Sequence, residues 1–252
     1  MKVSYIDPAA NKDEEMRVRR LGVPQVQANI IEKDKQQTIN IYLGMGIFFE
    51  DRKEIIPVIQ NLASLEYDLT SAIKKVSTKE VKKVGILTGR GEHNIYEDYQ
   101  SVRKALEKQY AVRNVNTKNG TKISDEITTL IVAGPDSLSD RDLFEIDQFI
   151  MRGGKVIFLD DEVGPGKNLM GEKRQPNLNK ILQTYGVKVN QDMVLDVVNE
   201  MAGFNSGFFT FTIPYPFWPR IIKPNLANDN HITQKLEVIS FTWCSSISNL
   251  ID

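Results

Sequence analysis

Residues 83–161 constrain the fold more than any other part of this chain, because short apolar runs alternate there with amphipathic helical patterns. Val84-Gly85-Ile86-Leu87 forms the first run and closes at Gly89. Ile95, Tyr99, Val102, Leu106 and Tyr110 then recur every three to four residues, as one face of a helix requires. Leu130-Ile131-Val132-Ala133 gives the second run, closed by Gly134-Pro135. Ser139 follows as an N-cap, with Asp140 and Asp142 in an acidic first turn and Leu143, Ile146, Phe149 and Ile150 on the apolar face. Gly153-Gly154 stops that helix, and Val156-Ile157-Phe158-Leu159 is a third run that ends in Asp160 and Asp161. Runs without polar alternation suit parallel strands with helices on both faces. The predicted fold class is therefore α/β, an open and mostly parallel sheet whose sites lie at the carboxyl ends of its strands.

The rest of the chain is less regular. Residues 13–21 predict a charged helix closed by Gly22, and 26–32 and 38–49 predict a hairpin around the turn Lys33-Asp34-Lys35-Gln36. A helix over 62–76 presents Leu62, Leu65, Leu69, Ile73 and Val76, and Ser77-Thr78-Lys79 leads into the first parallel strand. These patterns divide the chain into an N-terminal α+β subdomain, 1–78, and a main α/β domain, 79–252. Residues 162–176, polar and glycine-rich with two prolines, predict a mobile loop. Residues 177–185 predict a short helix stopped by Gly186, and 187–189 and 194–198 read as strands. Pro214, Pro216 and Pro219 exclude helix from an aromatic segment containing Tyr215, Phe217 and Trp218. That segment reads either as a docking surface or sugar platform, or as a strand edge with its rings buried against the sheet.

Composition removes several function classes. A 252-residue chain with 41% hydrophobic and 26% charged residues folds without disulfide or metal support. Net charge is −1 and no stripe is strongly basic, so nucleic acid is not an expected partner. The lone Cys244 rules out an internal disulfide and any multi-cysteine metal site. No run reaches the roughly 18 apolar residues that cross a bilayer, and residues 1–15 are too polar for a signal peptide. The abrupt close after a strand-like Phe241-Thr242-Trp243 creates the expectation of a longer protein whose membrane segments lie outside this chain.

Motifs at the strand ends narrow the chemistry further. The acidic end of the third run resembles a magnesium-holding strand of nucleotide hydrolases, but Gly166-Lys167 continues into Asn168 and no phosphate-cradling loop precedes it. In Gly89-Arg90-Gly91-Glu92-His93-Asn94, Asn94 replaces the third small residue of a dinucleotide fingerprint, and the expected acid about 20 residues on is missing. That loop reads as an anion-binding turn using backbone N–H groups and Arg90, or simply as a tight glycine turn. With His93 and His231 the only histidines, a metal would require His93 to converge on Asp160 and Asp161; no metal and no cofactor is expected. The ligand-binding candidates are Gly89, Arg90, Gly91, Glu92, His93, Asp160 and Asp161.

Gly89-x-Gly91-Glu92, Ile131 to Pro135, Leu138-Ser139, Gly153-Gly154 before residues 156–160, and Tyr185-Gly186-Val187 together resemble the auxiliary component of gliding-motility-type ABC transport systems. Leu65 to Ile73, Tyr215-Pro216 and His231-Ile232-Thr233 fit the same pattern. The resemblance implies a periplasmic or otherwise extracytoplasmic domain that works beside ABC permease and ATPase subunits as a substrate-binding or coupling component, tied to the membrane through segments absent from this chain. It also implies kinship with a domain of an intraflagellar-transport component. Members of the family carry Gly-His-Gly-Glu at the loop, whereas this chain has Arg90 in place of the histidine.

The family domain is in turn similar to class I glutamine amidotransferase-like folds. Those enzymes place a cysteine, activated by a histidine, at the turn after a central strand, because amide attack needs a thiolate and a base. The matching turn here is Asp160-Asp161-Glu162. The expectation is thus a non-catalytic accessory domain that binds a partner or a small molecule, not an enzyme. The competing reading is a hydrolase or amidotransferase-like enzyme using a set such as Glu92, His93 and Asp160.

Overall fold

The computed structural model describes residues 2–32, 35–88, 96–166, 171–205, 207 and 209–251. The chain clusters into two units, one of residues 1–83 with 100–112, the other of 84–99 with 113–252. In the first unit, the Asn11 side chain accepts the N–H groups of Asp13 and Glu14 and starts helix α1 (Lys12–Arg20), after which Gly22 turns the chain at φ +90°. Strands β1 (Gln25–Glu32) and β2 (Lys35–Tyr42) form one antiparallel pair, and β3 (Met45–Phe49) and β4 (Arg52–Ile56) form another. Where the sequence pattern predicts a single strand over 38–49, the structure breaks at Leu43-Gly44. A Cβ on Gly44 would lie 2.4 Å from Val23 and 2.7 Å from the Pro57 carbonyl, so close backbone approach replaces strand pairing there.

Helix α2 (Leu65–Ser77) follows a 3₁₀ turn, Leu62–Ser64, and packs against β3 and β4. Its buried positions are Ser71, Ala72 and Val76, and Lys75 reaches Glu54 of β4 at 2.8 Å. Leu62 is exposed, because the tighter 3₁₀ turn takes it off the α-helical face. Helix α3 (Gln100–Glu107) completes this unit. It is shorter than the spacing from Ile95 to Tyr110 predicts, and none of its residues is fully buried.

The sheet that organises the second unit consists of β5 (Lys83–Leu87), β6 (Ala111–Val115), β7 (Ile127–Ala133) and β8 (Lys155–Leu159). Its order is β6-β5-β7-β8 and its strands are parallel. Chain order reverses between β5 and β7, which makes their carboxyl ends the topological switch point. Helix α4 (Asp140–Met151) connects β7 to β8 and covers one face. Its start is a capping box: Ser139 and Asp142 exchange hydrogen bonds, and the fully buried Asp142 also accepts 2.6 Å from the Thr117 hydroxyl. Leu87, Leu130, Val132, Leu138, Ile146 and Phe149 form the centre of the core. The expected cover on both faces fails at β8, an edge strand whose Ile157 and Leu159 are exposed.

Beyond the sheet, the predicted loop at 162–176 carries a small antiparallel pair, β9 (Val163–Pro165) and β10 (Gly171–Lys173). Helix α5 (Asn179–Leu182) runs into a 3₁₀ turn and stops at Gly186, φ +80°. Residues 194–198 are not a strand; β11 (Val187–Val189) is followed next by β12 (Asn199–Asn205) and β13 (Thr210–Ile222). Strand β14 (Val238–Ser240) ends before Phe241-Thr242-Trp243, which turns, with Trp243 at φ +51°, towards β15 (Ile247–Asn249). Strand β15 pairs antiparallel with β11, while β12, β13 and β14 make a separate three-stranded antiparallel sheet.

Candidate functional site

Asp160, Asp161 and Glu162 leave β8 at its carboxyl end, where an open parallel sheet places its ligands. The three carboxylates have different environments. Both carboxylate oxygens of Asp160 are buried and make no well-formed hydrogen bond to the described residues, the Asp161 backbone N–H giving only weak relief. Burial, reinforced by the Glu162 charge, pushes the Asp160 carboxyl up to about 7; Arg174 opposes this only partly. Asp161 is raised by burial and opposed first by the Ser245 N–H, which donates to its Oδ1 at 2.8 Å. Glu162 is raised by burial against the amide of Asn179, which donates to Oε1 at 2.7 Å.

Arg174 ties this turn to the end of β7. Its guanidinium donates to the carbonyls of Gly134 (3.0 Å) and Pro135 (3.3 Å) and lies 3.7 Å from the Asp136 carboxylate, while its N–H donates to the Glu162 carbonyl. One cation therefore sits across two neighbouring strand ends. Nothing in its local sequence marks it, because its role depends on the β9–β10 pair that folds it back.

A strap formed by residues 244–249 closes over the acidic turn. The Glu162 N–H donates to Ser245 Oγ (3.1 Å), and Ser245 Oγ donates to the Asp192 carbonyl (3.0 Å). The Asp192 carboxylate accepts the Ser246 N–H (2.8 Å) and hydroxyl (2.6 Å), contacts that hold it below the usual carboxylate range. Asn190 donates to Ser246 and Ser248, and Asn179 bridges Glu162 to Val189 of β11. Sequence reasoning missed this strap, since serines and asparagines so far apart in the chain show no pattern until the ends meet.

Cys244 enters the strap half-buried. Burial pushes its thiol up and the Asp161 charge adds to that effect, the reverse of the shift that makes a thiolate nucleophile. His231 contacts Gln234 through its ring at 2.9 Å. Gly89, Arg90, Gly91, Glu92 and His93 lie outside the described residues, so the structure brings together only Asp160 and Asp161 of the predicted set. Among the described residues no group of three His, Cys, Asp or Glu side chains converges as metal ligands would.

The aromatic segment forms a ring cluster on a bulged strand. The register jumps from Asn199↔Pro219 to Met201↔Pro214, so residues 215–218 bulge out of the β12–β13 ladder. Tyr215, Trp218 and Trp243 pack edge to face at 5.3 to 6.2 Å, with Phe217 beside Tyr215 at 5.5 Å. Tyr215, Phe217 and Trp218 are half-buried in this cluster. The prolines fit because the bulge supplies acceptors and needs few donors: the carbonyls of Pro216, Phe217 and Pro219 accept from Asp196, Trp243 and Phe241.

Comparisons with known proteins place the chain at the level of the family. An uncharacterized protein of Borreliella burgdorferi is 23% identical over 237 residues, covering 91% of this chain and 46% of that protein. The chain thus spans about half the length of the curated relative it matches. Among solved structures, the mmIFT52 N-terminal domain is similar with a TM-score of 0.44 and 15% identity, over 66% of this chain and 68% of that one. Residues 81–252, most of the chain and the whole of the sheet unit, match the auxiliary family described as "ABC-type uncharacterized transport system". The chain belongs to that family of ABC-type transport auxiliaries.

Proposed function

We propose that the chain is a non-catalytic, extracytoplasmic accessory domain of an ABC-type transport system of the gliding-motility kind, working beside the permease and ATPase subunits. The family match over 81–252 carries this reading. The geometry supports it in a specific way. An amidotransferase-like scaffold needs an open turn with an activated thiolate after the strand corresponding to β8. Here that turn is acidic, is bonded to the 244–249 strap, and has beside it a thiol whose pKa is raised. Such a carboxyl end suits recognition and transmission of a partner's state.

The test is co-expression of the full-length protein with the permease and ATPase of its own system, followed by purification through a tag on the ATPase. A complex of fixed stoichiometry is expected. Its absence, together with release of ammonia from glutamine by the purified chain that Cys244→Ser abolishes, would replace this reading with the enzymatic one.

A further inference from the structure

Strand β8 leaves one edge of the parallel sheet open: among the described residues it pairs with β7 alone. The Leu159 carbonyl accepts the Gly134 N–H at 2.8 Å, so the peptide groups of residues 155, 157 and 159 face β7 and those of Val156 and Phe158 face outward. Side chains alternate as well. Val156 and Phe158 pack on the core, whereas Lys155, Ile157 and Leu159 share the opposite face and are exposed. Edge strands are ordinarily protected by a charge, a proline or a bulge in mid-strand. Residues 156–159 carry neither charge nor proline, and their register with β7 runs without a shift.

We propose that β8 is a self-pairing edge, which joins a second copy of this chain antiparallel about Phe158 and continues the sheet across a two-fold axis. Charge complementarity selects this occupant. The exposed face runs from Lys155 at the amino end of the strand to Asp161 just past its carboxyl end. An antiparallel copy sets Lys155 across from Asp161 of the second copy, and two-fold symmetry repeats the pair. Both groups are available for it. Lys155 enters no ion pair among the described residues, and Asp161 takes the Ser245 N–H on Oδ1, which fixes the carboxylate and leaves Oδ2 for the amine. In the same register the outward peptide groups of Val156 and Phe158 meet those of Asp160 and Phe158 of the second copy. Ile157 then faces Leu159 of the second copy in a non-hydrogen-bonded pair, where side chains approach most closely. Two side chains that are 47% and 57% exposed in one copy therefore cover each other in the pair. A five-residue strand a side makes a small interface, so the dimer is expected to be weak and concentration-dependent. The inference does not rest on the accessory reading.

Sedimentation equilibrium of the 252-residue chain from about 1 to about 100 μM tests it, a range that spans micromolar affinity. The parent is expected to pass from monomer to dimer and no further, because a two-fold contact closes. Ile157→Lys should weaken the dimer at least about tenfold, since the new charge enters the interface twice. The position is exposed, and the variant's thermal transition is expected to match that of the monomeric parent. Lys155→Glu should weaken it too, by facing Asp161 of the second copy, and salt at about 1 M should restore much of that loss. A folding defect would show no such recovery. Register is read in chains that also carry Cys244→Ser, by oxidising a mixture of the single variants Ile157→Cys and Leu159→Cys. Cross-links are expected between the two variants and not within either, whose own positions lie two residues out of register. The proposal is overturned if the parent stays monomeric throughout, if both charge variants dimerise like the parent, or if either cysteine variant cross-links to itself as readily as to the other. Co-purification with the ATPase reads the accessory proposal separately, so the two fail independently.

Discussion

Asp160 is the residue at which this fold departs furthest from ordinary solution chemistry. Its carboxyl is buried, without a well-formed hydrogen bond to the described residues, and raised to about 7 by burial and by Glu162. The folded chain therefore binds a proton there that the unfolded chain releases near pH 4, and stability falls as pH rises from about 4 to about 7 and then levels off. Facing groups modulate this: Arg174 opposes it, while Asp161 and Glu162, themselves raised by burial, add to it in the same direction. Asp160→Asn should remove most of the slope and leave the variant more stable than the parent at pH 8 by on the order of 2 kcal/mol, allowing for partial exposure. Urea unfolding at pH 5 and pH 8 reads this directly; equal slopes in both proteins would contradict it. Asp160 and Asp161 were legible in the sequence as the acidic end of an apolar run. Arg174 and Ser245 were not, because one owes its position to a short hairpin and the other to contacts across more than eighty residues.

At the scale of elements, two devices set the site. The first is the capping box of α4, where Asp142 serves the Ser139 backbone, the Ser139 hydroxyl and the buried Thr117 hydroxyl. Asp142→Ala should cost about 2–3 kcal/mol, a cap plus a stranded buried hydroxyl, seen as a lower urea midpoint with an unchanged slope. The second is the strap. Ser245→Ala removes the acceptor for the Glu162 N–H and the donor to Asp192, and should cost about 1–2 kcal/mol. Faster amide exchange confined to 245–249 and to β11 is the expected signature. The α4 start was legible because capping chemistry is local, Ser139 followed three residues later by Asp142. The break at Gly44, the β9–β10 pair and the strap were not, since each depends on a close approach that no neighbour in sequence announces. The prolines of β13 excluded helix correctly, yet the register jump that makes room for them comes with the Asp196 and Phe241 N–H groups donating to the carbonyls of Pro216 and Pro219.

Across the whole molecule, periodicity captured the sheet unit better than the rest. Apolar runs over 84–87, 130–133 and 156–159 became three of four parallel strands, and the helix between the last two covers a face. The exposed Ile157 and Leu159 show the limit of that logic: a run apolar on both faces marks a strand, but does not say that both faces are covered in this chain. Family membership then gives the unit a setting among ABC-type transport auxiliaries, the setting in which the proposed accessory role is tested. The most direct measurement is the ATP hydrolysis rate of the permease and ATPase reconstituted in vesicles, titrated with the full-length protein. The account predicts a saturable change in rate at a fixed subunit ratio, with no ammonia released from glutamine. A rate that stays constant through the titration would contradict it.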